Sequence, residues 1–122
     1  MGDDTVNADD LIRKVEEATG VKGRLLGWKA RRRVIFLCCR EIECQPNFYA
    51  TYGRKLGMRS MERTVLAQYR AAYKIDPITM WLIGMLISTV VKFVVAWWMQ
   101  HHQDQDAALV VSNVVLRLAP ET

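Results

Sequence analysis

The residue types that ordinarily carry chemistry are few in this chain of 122 residues. Its two histidines are neighbours, His101 and His102, and no nucleophile, base and orienting acid assemble around them in the pattern. Cys38, Cys39 and Cys44 are bunched and odd in number, unlike the disulfide framework of a small secreted domain. They also lack the C-x2-C spacing of a tetrahedral metal site, so buried thiols in a reducing compartment are expected. The run Gly53-Arg54-Lys55-Leu56-Gly57 has neither the spacing nor the following Ser or Thr of a phosphate-cradling loop. No catalytic residue, cofactor or metal is expected, and the function read from these residues is non-enzymatic.

Binding chemistry is better represented. Lys29, Arg31, Arg32 and Arg33 stand beside Trp28, a set that can contact phosphates while the indole stacks on a base. A second set, Arg54, Lys55, Arg59, Arg63, Arg70 and Lys74 with Tyr69 and Tyr73, suits anionic head groups at about 1 kcal/mol per well-placed cation. The plain alternative for both is a solvated basic face. The lipid reading is favoured here because it joins the apolar segment that follows, and nucleic acid is the weaker candidate partner.

The charges are unevenly spread. Fifteen of the 17 Lys and Arg and ten of the 13 Asp and Glu precede Pro77, leaving that part five positive charges in surplus. Residues 100–122 carry one Arg against three acids. A hydrophobic content of 51% against 25% charged excludes a disordered or low-complexity chain, and the length excludes two full catalytic folds. The acidic start is unlike a signal peptide, and Val6 stands where a myristoylation signal needs Ser or Thr.

Residues 1–8 read as a loose arm. Leu11, Ile12, Val15 and Ala18 recur at helical spacing from Asp9 to Thr19, with Asn7 as cap and Gly20 as stop. Gly20 to Gly27 reads as a turn. The run Val34 to Cys44 fits a short buried strand by its β-branched start, but its length favours helix until Pro46-Asn47. Past a connection from Phe48 to Gly57, Ser60 is expected to cap a helix from Met61 to Lys74 with Met61, Val65, Tyr69 and Ala72 on one face. Asp76-Pro77 is the sharpest punctuation, a cap followed by a first-turn proline. The last piece, Ala107 to Leu118, is apolar and reads as helix capped by Asp104 or Asp106, with strand as the other option.

Ile78 to Met99 is 22 residues with one charge, Lys92. At about 1.5 Å per residue it is long enough for a hydrocarbon core of about 30 Å. Trp81 at one end and Trp97 and Trp98 at the other are placed as interface anchors. Gly84, Ser88, Lys92 and Ala96, with Thr89 beside them, form a small and polar stripe opposite Leu86, Ile87, Val90, Val91, Phe93, Val94 and Trp97. In a membrane such a stripe packs on another helix, so it is expected to face other protein subunits or a second copy of the chain. A soluble bundle's central helix has the same composition, and Lys92 is the residue that argues for it.

The expected fold is therefore all-α: short amphipathic helices, one long apolar helix read as transmembrane, and a short C-terminal helix. Three regions follow: a basic helical one over 1–76, the apolar helix over 77–100 and an acidic-apolar tail over 101–122. The favoured function is a single-pass membrane protein serving as a structural or accessory subunit of a larger assembly. Its partners would be membrane lipid and other subunits, with the N-terminal region on the cytoplasmic side and the C-terminus outside. The alternative is a soluble or virion-internal helical protein that binds nucleic acid through its basic region, with residues 78–99 as core or as a triggered inserting helix. A pore-forming peptide is disfavoured by the large charged region ahead of a single span.

Overall fold

The computed structural model describes residues 7–120, so residues 1–6 of the arm expected over 1–8 lie outside it, while Ala8, its last residue, is already helix. The described residues form helices joined by short connections, without strands. The helices are α1 (Ala8–Cys44), α2 (Phe48–Tyr52), α3 (Arg54–Ala72), α4 (Pro77–His101) and α5 (Ala107–Leu118). Both segments that left strand open, Val34 to Cys44 and Ala107 to Leu118, are helix.

Helix α1 begins where Asn7 accepts a hydrogen bond from the Asp10 amide at 2.8 Å. It is not one rod. Gly20 (φ 59°, ψ −143°) and Gly27 (φ 85°, ψ 165°) interrupt it with backbone that a side chain disfavours, dividing it into three limbs. Helix was expected to stop at Gly20 and give way to a turn; instead a short helical limb lies between the two glycines. In α3 the helix starts at Arg54, not after Ser60, and Phe48–Tyr52 of the expected connection is a helix as well. Gly57, Met61, Val65 and Tyr69 form the buried face of α3, while Ala72 is exposed. Asp76 caps α4 as expected, accepting from the Thr79 amide at 3.0 Å with Pro77 in the first turn, and these hydrogen bonds lower its carboxyl pKa.

Side-chain pairings fix the directions. Gln68 donates to Glu41 at 2.8 Å, and the Arg33 guanidinium lies 3.9 Å from the Tyr73 ring centre, so α3 runs antiparallel to the last limb of α1. Ser112 donates to Glu43 at 2.7 Å and Arg32 donates to the Arg117 carbonyl at 3.3 Å, so α5 is antiparallel to that limb too. The Trp98 indole N–H donates to the Pro46 carbonyl at 2.8 Å, which sets α4 parallel to it. The first limb returns to the end of α5, where Arg117 pairs with Asp9. Residues of all three sequence regions thus share one core.

Helices α1 and α4 supply most of that core. Ile83, Leu86, Ile87, Val90, Val91, Val94, Val95, Trp97 and Trp98 are buried, and α1, which packs on α4, buries Val34, Ile35, Cys38, Cys39 and Ile42. Burying each such side chain is worth roughly 1.5–3 kcal/mol before the entropy of ordering it. The opposite stripe faces out: Lys92 and Ala96 are exposed, and Gly84, Ser88 and Thr89 are half-buried.

Two thiols belong to this core. Burial, more than the neighbouring acid, pushes the Cys39 thiol up to about 12 and raises Cys38 well above the ordinary range, whereas Cys44 is exposed. A thiol-titrating reagent at pH 8 should therefore modify one cysteine in the native chain and three after denaturation; three fast reactions in the native state would contradict the packing. In the same core Ile87→Ala should cost about 2–5 kcal/mol in denaturant unfolding, while Lys92→Ala should stay within about 0.5 kcal/mol. Gly27→Ala, strained by backbone alone because nothing lies near its missing Cβ, should cost about 1–3 kcal/mol.

Candidate anion-binding groove

The last limb of α1 opens directly after Gly27, so its first turns project from the broken helix beside the end of α5 and the end of α3. Trp28, Lys29, Arg32, Arg33 and Phe36 come from that limb, Tyr73 from just past α3 and Arg117 from α5. Together with Leu118, Ala119 and Pro120 they line a groove of about 610 Å³. Four cations converge on it from two helices 85 residues apart in sequence at their Arg32–Arg117 contact.

Aromatic rings hold the guanidinium groups in place. The Arg33 guanidinium lies over the Tyr73 ring, 3.9 Å from its centre, a close cation–π contact, and Arg32 lies 5.2 Å from the Trp28 ring centre. Arg32 also donates to the Arg117 carbonyl, which fixes the closing edge. Of the four cations only Arg117 is paired with a described acid, Asp9. Lys29, Arg32 and Arg33 have no such partner, and Trp28 keeps 53% of its surface exposed. Three like charges gathered without a counter-charge among the described residues leave a positive potential that an anion relieves. The aromatic face beside it offers stacking.

The structure sorts the residues singled out in the sequence. Lys29, Arg32 and Arg33 share the groove. Arg31 does not: it points under the Gly20–Gly27 bend, with its Nε buried and unpartnered. Arg63, Arg70 and Lys74 lie on the outer surface of α3 toward α4, adjoining the groove only through Tyr73. Trp81 is 66% exposed on α4, whereas Trp97 and Trp98, expected as interface anchors, are core side chains at 8% and 5%. Trp97 packs against the His101 ring at 5.0 Å, and His101 Nδ1 lies 3.1 Å from Asp104, so Asp104 closes the end of α4 and does not cap α5. Asp106, the residue before α5, likewise makes no side-chain cap.

Two groove members were not joined to it in the sequence, where Tyr73 was grouped with the α3 cations and Arg117 was assigned no role. Arg117 is the tail's lone cation and Tyr73 lies 40 residues from Arg33, so no local window joins them. Among the described residues no cluster of three or more His, Cys, Asp or Glu side chains could hold a metal ion. No protein-family model matches the chain, and no curated protein or solved structure is significantly similar to it.

Proposed function

We propose that the chain is a non-enzymatic helical bundle that binds a single-stranded nucleic acid in the groove between α1 and α5, with α4 as its core helix. The observation that carries this reading is the convergence of Lys29, Arg32, Arg33 and Arg117 with Trp28 and Tyr73 on one groove. Phosphates attract the unpaired cations, and an exposed indole accepts any base by stacking, worth about 1–3 kcal/mol per base.

One helix, Pro77–His101, is long and apolar enough to cross a membrane. The reading as a core helix is supported by which face is buried. Lipid would have to meet the stripe that carries Lys92, while the valine and isoleucine face is already covered by α1 and α3. Crossing with the bundle intact would also carry Arg33 and Arg40 of the parallel α1 limb into hydrocarbon, at about 2.5–3.5 kcal/mol each. A structural subunit spanning the membrane would need that limb stripped away.

The test is a fluorescence-anisotropy titration of a labelled single strand with the full chain, at salt from about 50 to 200 mM. Contact with three or four phosphates predicts a slope of log affinity against log salt of about −2 to −3. Trp28→Ala should weaken binding by roughly 5- to 150-fold, and Arg32→Glu with Arg33→Glu should abolish it at physiological salt. Absence of binding at low salt, or binding indifferent to both variants, would contradict the proposal.

A further inference from the structure

The outer surface of α3 and the first half of α4 is a second, separate feature. Ile78, Trp81 and Met85 follow one another on the outward stripe of α4 at helical spacing, and Ile78 and Trp81 are 74% and 66% exposed. Beside them, Leu66, Arg70 and Met80 help line a shallow groove of about 480 Å³ between the two helices. Arg59, Arg63, Arg70 and Lys74 are all exposed along the α3 side, and none is paired with a described acid. Against these four stand Glu62 and Asp76, the latter already engaged with the Thr79 amide.

We propose that this α3–α4 face docks on an anionic lipid bilayer, with the bundle lying on the surface and not crossing it. Trp81 and Ile78 enter the head-group boundary, and Arg59, Arg63, Arg70 and Lys74 lie over the negative surface. Charge complementarity selects this occupant: an uncharged hydrophobic partner leaves four cations without counter-ions, whereas a leaflet of anionic lipid supplies them at any spacing. Tryptophan is also the side chain best suited to a boundary that is apolar on one side and wet on the other. The stripe changes character one turn further on, at Ser88 and Lys92, which limits insertion to the first turns of α4. The proposal is independent of what the α1–α5 groove binds.

Co-sedimentation of the full chain with vesicles tests it. Vesicles containing about a third phosphatidylserine should retain the chain, pure phosphatidylcholine vesicles should not, and raised salt or carbonate should release it. At about fivefold per cation, Arg63→Glu with Arg70→Glu should lower partitioning at least 25-fold. Trp81→Ala should lower it roughly tenfold, and Leu116→Ala, equally exposed but on α5, should leave it unchanged. Since all these positions are exposed, unchanged thermal unfolding is expected for each variant, and the comparison of the two lipids needs no variant at all. Equal retention on both lipids, no retention on either, or retention that resists carbonate would overturn the proposal. So would loss of lipid binding in the Arg32→Glu, Arg33→Glu chain alone. If Arg63→Glu with Arg70→Glu spares lipid binding but removes the nucleic acid, this face is a nucleic-acid surface and the proposal fails.

Discussion

The seating of α4 on the last limb of α1 is the contact on which everything else depends. Nine side chains of α4 are buried, and the limb beneath them is read as a wide stripe, Val34, Ile35, Cys38, Cys39 and Ile42, because α4 and α5 both pack on it. Trp98 anchors the end of this seam through the Pro46 carbonyl, satisfying an indole N–H that burial would otherwise strand. Because α4 turns its most apolar side inward, the small and polar residues around Lys92 are left outside.

That same seam organises the charge. Cations excluded from the core collect on two rims: one at the start of the α1 limb, where Arg32 and Arg33 rest on aromatic rings, the other along α3. Tyr73 borders both, taking Arg33 on its face while Lys74 turns toward the α3–α4 side. The surplus of positive charge ahead of Pro77 is therefore not a uniform solvated face. It is divided between a groove with stacking rings and a surface with an exposed tryptophan, and each arrangement suits a different polyanion.

Much of this was legible in the sequence. Helical periodicity located α4, α5 and the outer limbs of α1, though not α2 or the first turns of α3, and Asn7, Asp76 and Pro77 marked helix starts because capping and proline chemistry are local. The two faces of α4 were legible too, since fourfold spacing of Gly84, Ser88, Lys92 and Ala96 needs only one helix to be recognised. Their meaning was not. Whether the valine face meets lipid or protein depends on α1, whose matching stripe reads as strand or helix by itself. Gly20 and Gly27 read as the bounds of a turn, whereas helix runs between them, because a glycine that bends a helix and one that ends it look the same in sequence. The groove was half visible, as Lys29, Arg32 and Arg33 beside Trp28; Arg31 in the same run turned the other way because helical geometry separates neighbours by about 100°. Arg117 and Tyr73 joined only through tertiary packing.

The proposal that α4 is the core helix of a water-soluble bundle is tested most directly by amide hydrogen exchange on the full chain in detergent-free buffer. Amides of Ile83 to Trp98 should exchange at the slowest rate in the molecule, matching the free energy of global unfolding, together with those of Val34 to Ile42. A chain that requires detergent to stay in solution, or whose α4 amides exchange independently of α1, would contradict it.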